Sequence, residues 1–236
     1  MPALEKAEDL DHNPDPPSSS ELPPRVFYDR AAPYYDEVIM APFKQRFTDQ
    51  MEADFLSMLF PRGSRLLDLG SGTGRSMALL QQRSYRVFGV DISAGMLHKA
   101  LDREVKSSVQ GDISHLPFGP GAFDGAFSMH GGLSHLPTME DKLAAMQQID
   151  RALKRECVLM IDVPSPYRED RRKTYLVEWQ VGEERIKLKG YAWYPEQLEE
   201  ICESLGFPET ILLGDYSLNQ KFDKGSRRLI LVARRH

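Results

Sequence analysis

Three alternating glycines behind an aspartate form the segment of this sequence most typical of ligand binding. Asp68 lies near the end of a short apolar run. The glycines that follow it are Gly70, Gly72 and Gly74. Glycine lets the backbone turn tightly and approach a ligand without a Cβ atom in the way. In open α/β sheets ligands bind at the carboxyl ends of the strands, so this turn predicts a site for a nucleotide-like cofactor.

Three kinds of cofactor loop contain glycines at a similar spacing. A P-loop requires a lysine after the last glycine, and here the next residue is Arg75. A dinucleotide loop has the spacing G-x-G-x-x-G, whereas this segment has G-x-G-x-G. In a loop for S-adenosylmethionine, Asp68 can meet the ammonium group of the cofactor directly or through water. A pyrophosphate would be repelled by that carboxylate, so Asp68 favours S-adenosylmethionine.

Aspartates also end the next two predicted strands, at Asp91 and Asp112. The Asp91 carboxylate can accept hydrogen bonds from both ribose hydroxyls, of a dinucleotide or of S-adenosylmethionine. The Asp112 carboxylate can accept the adenine amino group, although the same residue could instead cap a helix. Three acids in this order match ammonium, ribose and adenine, which favours S-adenosylmethionine. Further cofactor contacts are predicted for Ile92, Met96, Ile113 and Met129.

Histidines and tyrosines are the candidates for the side of the site that holds the second reactant. His130 and His135 follow the fourth predicted strand, and either could act as a general base for an acceptor that must lose a proton. Tyr28 and Tyr35 lie in an aromatic N-terminal segment and are candidate acceptor-pocket residues. The alternatives are surface or capping histidines and tyrosines that only pack against helices. No metal site is predicted.

Strands and helices alternate from residue 65 onward, which predicts an α/β fold with a parallel, doubly wound sheet. The predicted strands lie at residues 65–69, 86–91, 109–112, 123–129 and 158–163. The predicted helices between them lie at residues 75–83, 93–103 and 139–153. Further elements are predicted as a β-hairpin at 175–181 and 185–191, a helix at 195–205, and an antiparallel pair at 210–214 and 228–233.

Composition divides the chain into three parts. Residues 1–24 are rich in proline and serine, cannot bury enough apolar surface to fold, and predict a disordered tail. Residues 25–60 carry aromatic residues at roughly helical spacing and predict a helical cap, interrupted near Pro33 and Pro42. Residues 61–236 are predicted to form the cofactor-binding domain, with the hairpin as an insertion at about 165–193.

The composition also limits the partners of the chain. The 236 residues carry a net charge of −5, whereas proteins that grip a nucleic-acid backbone usually show a basic face, so no nucleic-acid partner is expected. No apolar stretch approaches the roughly 20 residues that span a bilayer. The two cysteines, Cys157 and Cys202, lie in apolar runs and predict buried side chains instead of a disulfide framework. A cytoplasmic location is the expectation.

Together these motifs resemble the class I S-adenosylmethionine-dependent methyltransferases, most closely the small-molecule group that includes the ubiquinone and menaquinone C-methyltransferases. The resemblance implies a seven-stranded sheet of order 3-2-1-4-5-7-6 with strand 7 antiparallel. Nucleic-acid amino methyltransferases carry Asn/Asp-Pro-Pro and an aromatic residue after the fourth strand, where this chain has Met129-His130-Gly131-Gly132. The segments that carry the resemblance are Leu67–Gly74, Gly89–Ser93, Gly111–Phe118, Phe123–Met129 and, for the cap, Tyr28–Asp36.

The reaction implied by this resemblance is methyl transfer from S-adenosylmethionine to oxygen, nitrogen or carbon of a small molecule, with S-adenosylhomocysteine as the second product. The sulfonium is already activated, so the main task of the enzyme is to hold the acceptor in line with the methyl group. The alternatives are a protein of the same fold that uses the cofactor for cyclisation or decarboxylation, or a binding module without catalysis.

Overall fold

The computed structural model describes residues 21–168 and 173–236, which contain seven α-helices and nine strands. The helices are α1 Pro24–Ala31, α2 Ala41–Lys44, α3 Asp49–Leu59, α4 Arg75–Gln82, α5 Ala94–Leu101, α6 Met139–Ala152 and α7 Pro195–Ser204. The strands are β1 Arg65–Leu69, β2 Arg86–Asp91, β3 Ser108–Gln110, β4 Phe123–Ser128, β5 Leu153–Pro164, β6 Thr174–Val181, β7 Glu184–Tyr191, β8 Glu209–Gly214 and β9 Arg228–Arg235. Most of the predicted tail, residues 1–20, lies outside the described residues.

Seven of these strands form one sheet in the order β3-β2-β1-β4-β5-β9-β8. Strands β1 to β5 run parallel to one another, and β9 is antiparallel to both β5 and β8. The hairpin strands β6 and β7 pair only with each other and form a second sheet. Strands β8 and β9 therefore take the places of the sixth and seventh strands, which confirms the predicted order and the antiparallel last strand.

The strand β1 shows why this sheet is buried on both faces. Leu66 and Leu67 point to opposite faces, as successive strand residues must, and both are fully buried. Leu67 packs in a cluster with α6 and α7, whereas Leu66 packs in a cluster with α3 and α4. Since both faces are covered by helices, the buried residues of this strand are apolar. Asp68 is the exception among them.

The third strand is shorter than the sequence predicted. The prediction placed it at 109–112, but β3 ends at Gln110. Asp112 lies beyond the strand and caps a short 3-10 turn, where its Oδ1 accepts a hydrogen bond of 2.8 Å from Ser114 N. The prediction was wrong because an aspartate side chain that bonds the backbone two residues ahead starts a turn in preference to extending a strand.

The predicted helical cap divides between two parts of the molecule. Helix α3 packs on the main sheet, where Phe55 and Leu56 are fully buried. Helix α1 packs instead on the β6–β7 hairpin, through a separate cluster that contains Phe27, Ile186 and Leu188. We call residues 24–39, which begin with α1, together with the β6–β7 hairpin the cap layer. No helix in the described ranges has the length and apolar character needed to cross a membrane.

Candidate functional site

A cavity of about 300 Å³ lies at the carboxyl edge of β1, β2 and β4, beneath the cap layer. It is the place where the topology brings together the loops that follow these three strands. Most of the residues predicted to hold the cofactor line this cavity: Gly70, Gly72, Asp91, Ile92, Met96, Asp112, Ile113 and Met129. All four residues predicted for the acceptor side line it as well: Tyr28, Tyr35, His130 and His135.

The glycine turn is held by backbone hydrogen bonds to the neighbouring strand. The N–H groups of Gly70 and Ser71 both donate to the carbonyl oxygen of Val90, at 2.9 and 3.0 Å. Gly70 and Gly72 have positive φ values of 78° and 53°, a region that favours glycine. These constraints present a backbone without side chains to the cavity.

A second loop approaches the glycine turn closely enough to require glycine on both sides. A Cβ atom on Gly132, in the loop after β4, would lie 2.8 Å from the carbonyl oxygen of Leu69. A Cβ atom on Gly70 would lie 3.2 Å from Cα of Gly132. The loops after β1 and β4 therefore touch backbone to backbone on one side of the cavity.

Gly74, the third glycine of the turn, does not line the cavity. Its φ is 73°, and a Cβ atom there would lie 3.0 Å from Cβ of Ala100 and 3.1 Å from Val105. Gly74 thus allows α4 to begin close to α5, and its role in the structure is packing. The sequence could not separate this role from ligand contact because both require a glycine without a Cβ atom.

Asp91 ties the glycine turn to the start of α5. Its Oδ2 accepts a hydrogen bond of 2.8 Å from Gly72 N, and its Oδ1 accepts one of 2.9 Å from Ser93 N. Burial raises the pKa of this carboxyl group, while the two backbone hydrogen bonds act in the opposite direction. The carboxylate is consequently fixed in orientation at the wall of the cavity.

Asp68 lies behind the cavity wall. It is 2% exposed, and it accepts no hydrogen bond from the described residues. Burial, reinforced by the charge of Asp91, raises the pKa of Asp68 well above its ordinary value. A buried carboxyl group without a partner is costly, so a cation brought next to it would be strongly favoured.

His135 faces Tyr28 of helix α1 across the cavity. The Tyr28 hydroxyl lies 2.8 Å from Nε2 of His135, and Nδ1 of His135 lies 3.4 Å from the carbonyl oxygen of Lys189 in β7. Burial lowers the pKa of His135 to about 4 and raises that of Tyr28 well above 10.0. Both groups are therefore neutral near neutral pH, and the cap layer contributes a hydrogen-bonded pair to this wall.

Tyr35 adds an aromatic surface next to this pair. Its ring lies 6.4 Å from Tyr28 and 5.9 Å from Trp179 of β6, measured between centroids. Trp179 also packs on Phe27, at 4.7 Å. Burial raises the pKa of Tyr35 to about 12, so its hydroxyl stays protonated. The wall formed by the cap layer is thus aromatic and uncharged.

His130 is held by the charged side chains behind the cavity. Its backbone adopts a φ of 58°, and its N–H donates to Oδ2 of Asp162 at 2.7 Å. On the ring, Nε2 lies 2.5 Å from Nη2 of Arg75 and 3.1 Å from Oε1 of Glu52. Burial, followed by the positive charge of Arg75, lowers the pKa of His130 well below 6.5.

The buried groups around His130 extend to β5 and β9. Asp162 is fully buried, accepts a hydrogen bond of 2.5 Å from the Tyr216 hydroxyl, and pairs with Arg228 Nε at 2.6 Å. Sequence reasoning assigned no role at the site to Glu52, Arg75 or Arg228, because their partners are far away along the chain. The one signal available was Asp162, an acid near the end of an apolar strand.

The middle of the chain matches a known family. Residues 67–161 match the model of the methyltransferase domain family. A crystal structure of an S-adenosylmethionine-dependent methyltransferase from Clostridium acetobutylicum superposes with a TM-score of 0.69 at 19% identity, covering 88% of this chain and 98% of that one. Residues 67–161 are thus similar to the methyltransferase domain family, and the whole chain has the fold of the Clostridium enzyme. S-adenosylmethionine, the cofactor that the three aspartates predict for this chain, is the one on which the Clostridium enzyme depends.

Two curated relatives extend this comparison. The chain is 32% identical over 149 residues to a putative methyltransferase, YqeM, of Bacillus subtilis, covering 61% of this chain and 58% of that protein. It is 34% identical over 111 residues to the 18S rRNA (guanine-N(7))-methyltransferase of Mus musculus, covering 45% of this chain and 39% of that protein. The matched region is thus less than two thirds of the length of either relative.

Proposed function

We propose that this methyltransferase transfers the methyl group of S-adenosylmethionine to an oxygen, nitrogen or carbon nucleophile of a small molecule. The observation that carries the proposal is the contrast between the two walls of the cavity. One wall consists of glycines and acids from the strand ends, and the other of aromatic and histidine side chains. A cofactor on the first wall would direct its methyl group toward an acceptor held by the second.

The chemistry of the first wall fits the cofactor. Asp68 would attract the ammonium group, Asp91 would accept the ribose hydroxyls, and Asp112 would accept the adenine amino group. Met96 and Ile113 would cover the faces of the adenine ring. Hydrogen bonds to a charged group contribute about 1.5–3 kcal/mol each. The cofactor supplies a sulfonium-bound methyl group that is ready for displacement, so the protein has to orient the acceptor and exclude water.

The size of the cavity and the charge of the chain support a small acceptor. A volume of about 300 Å³ lies at the lower end of the range for small-molecule sites. The cap layer closes over this volume, with Tyr28 bonded to His135 across it. The net charge of −5 offers little attraction to a nucleic-acid backbone.

Guanine in RNA is the second candidate, favoured by the identity to the mouse rRNA methyltransferase. A guanine base would have to enter the same cavity, which requires the cap layer to move away from His135. The match to the methyltransferase domain family covers residues 67–161 and leaves the cap layer outside it. The cap layer is therefore the part of the chain that would distinguish the two acceptors.

Two measurements test the proposal. Isothermal titration of the full chain with S-adenosylmethionine, S-adenosylhomocysteine and NADH should give micromolar binding of the first two and none of NADH. Incubation with methyl-labelled cofactor should then label a fraction of a small-molecule extract and leave total RNA unlabelled. Label found in RNA alone would show that the acceptor is RNA and not a small molecule. Binding of NADH alone would contradict methyl transfer altogether.

A further inference from the structure

The tautomer of His130 is determined by Arg75. The Arg75 guanidinium donates protons and accepts none, and its Nη2 lies 2.5 Å from Nε2 of His130. Arg75 is buried, with 7% of its side chain exposed, and its acidic neighbours raise its pKa further. Since Arg75 stays charged, Nε2 of His130 must accept a hydrogen bond and cannot itself carry a proton.

Glu52 does not reverse this assignment. Its Oε1 lies 3.1 Å from Nε2 of His130, but neither carboxyl oxygen of Glu52 has a hydrogen-bond partner among the described residues. Oε2 of Glu52 lies 3.2 Å from Nη1 of Arg75, so the charge of Glu52 is directed to the guanidinium, and Arg75 remains the donor that faces Nε2 of His130. The proton of the neutral His130 imidazole is left on Nδ1.

Nδ1 is also the ring nitrogen that is available to a ligand. His130 lines the cavity, and 14% of its side chain is exposed. Nδ1 forms no hydrogen bond with any described residue. The ring is held edge-on to Phe43, with centroids 4.7 Å apart, and its backbone is fixed by Asp162. The position of this N–H group is therefore set before any ligand arrives.

The second histidine of the cavity offers no free base either. Nδ1 of His135 faces the carbonyl oxygen of Lys189, which can only accept, so this nitrogen carries the proton. Nε2 of His135 is left to accept the hydroxyl proton of Tyr28, at 2.8 Å. The unprotonated ring nitrogens of His130 and His135 thus both already accept a hydrogen bond from a protein donor.

We propose that His130 presents Nδ1–H to the cavity as a fixed hydrogen-bond donor, with Arg75 as its positioning residue, and that this donor selects a methyl acceptor bearing an anionic oxygen. Enolates, phenolates and carboxylates belong to this class. The inference rests on the proposed function and narrows its substrate. It also replaces the expected role of His130 as a general base.

An anionic acceptor also balances the reaction without a base. A lone pair of the acceptor oxygen, or the carbon of an enolate, forms a bond to the methyl carbon. The bond from that carbon to sulfur breaks, and its electron pair stays on sulfur. The positive charge of the sulfonium and the negative charge of the acceptor cancel, so no proton has to leave. Arg75 is itself paired with Asp49 and Glu52, so the attraction for the anion comes from the Nδ1–H donor and from the positive charge of the sulfonium.

The tautomer can be observed directly by NMR of the full chain labelled with ¹⁵N-histidine, with or without S-adenosylhomocysteine. His130→Asn identifies the His130 signals by their loss. The expected spectrum has a protonated, pyrrole-type Nδ1 and an unprotonated, pyridine-type Nε2. A protonated Nε2 in the wild-type protein would overturn the inference, whether or not the protein proves to be a methyltransferase. Arg75→Met should redistribute the proton between the two nitrogens.

The selection of an anion can be measured with 4-nitrophenol, whose absorbance reports its ionisation, and with neutral 4-nitroanisole. Both are titrated into the complex with S-adenosylhomocysteine. His130→Leu should weaken binding of the 4-nitrophenolate anion about 10-fold or more. His130→Asn, which keeps an N–H donor, should weaken it much less, and 4-nitroanisole should be unaffected by either change. Equal binding of the anion by the wild type and His130→Leu, or absence of anion binding, would overturn the selection. Failure of the wild-type protein to bind S-adenosylhomocysteine would instead overturn the proposed function.

Discussion

The two walls of the cavity are built in different ways. The wall of glycines and acids, which we call the cofactor wall, consists of loops that leave neighbouring strands of one sheet. Backbone hydrogen bonds such as Gly70 N to Val90 O fix the positions of these loops. The cap layer is held by side chains, mainly by the packing of Trp179 on Phe27, Tyr28 and Tyr35.

This difference in construction corresponds to two tasks, which are binding of the cofactor and selection of the acceptor. The cofactor wall is bound to the main sheet and cannot change without disturbing it. The cap layer contacts the cofactor wall through a few polar groups. Asp29 accepts hydrogen bonds from Ser93 and Gly95 at the start of α5, and Asp36 accepts one from Thr73. We expect the cofactor wall to determine cofactor affinity and the cap layer to determine the acceptor.

The largest effect is expected for Asp91→Ala on the cofactor wall. The substitution removes the acceptor proposed for the ribose and leaves Gly72 N and Ser93 N without their partner. The affinity for S-adenosylhomocysteine should fall at least about 100-fold, measured by isothermal titration. Asp102→Ala is the matched control, since Asp102 pairs with Lys99 at the surface. An affinity for Asp91→Ala within about threefold of wild type would contradict the ribose assignment, given these bond strengths.

Trp179→Ala tests the cap layer. Removal of this half-buried ring should lower the free energy of unfolding by about 3 kcal/mol, measured by urea denaturation. Proteolysis within residues 24–39 should accelerate, while cofactor affinity should fall much less than in Asp91→Ala. Leu176→Ala is the control on the opposite face of β6, where the side chain is 46% exposed, and should change stability by less than about 0.5 kcal/mol. Equal losses in both variants would mean that the ring packing does not hold the layer.

The His135–Tyr28 contact predicts a pH dependence of stability. The pKa of His135 is about 4 in the folded protein and about 6.5 in the unfolded chain, so between these values only the unfolded chain binds the proton. Stability therefore rises with pH across this window and is lost on acidification. Between pH 7 and pH 5 the wild type should lose about 2 kcal/mol more than His135→Gln in urea denaturation. Parallel pH profiles for the two proteins would show that His135 is not buried in its neutral form.

The smallest effect is expected where the cap layer meets the cofactor wall. Asp29 Oδ1 accepts hydrogen bonds from Ser93 Oγ at 2.7 Å and from Gly95 N at 2.9 Å. Asp29→Ala should cost about 1 kcal/mol of unfolding free energy, as the loss of a helix-capping acceptor does. Glu184→Gln breaks only the exposed pair with Arg30 and should cost less than about 0.5 kcal/mol. If Glu184→Gln lowers the unfolding free energy as much as Asp29→Ala, the contact that holds the cap layer lies at the hairpin and not at α5.

Sequence reasoning succeeded where the signal was local. The spacing of glycines and the aspartates at strand ends predicted most of the cavity lining, because the loops after parallel strands must meet at one edge. The sheet order was implied by the resemblance to the class I methyltransferases. It failed where function depends on distant partners. The donor role proposed for His130 depends on Arg75, 55 positions away, and Glu52 in another helix lies against the same ring. Asp68 does not line the cavity, and its predicted contact with the ammonium group stays a prediction.

The contact between Gly70 and Gly132 also constrains how this chain can accept mutations over time. Any side chain at Gly132 would collide with a carbonyl oxygen, and any side chain at Gly70 would press on Gly132. Neither position can drift alone, because a change at one becomes tolerable only after the opposite backbone has moved. A chimaera that takes the first loop from one homologue and the fourth from another would collide here unless both parents keep glycine. We therefore expect the two loops to tolerate substitution only together, although 61 residues separate the two glycines in the sequence.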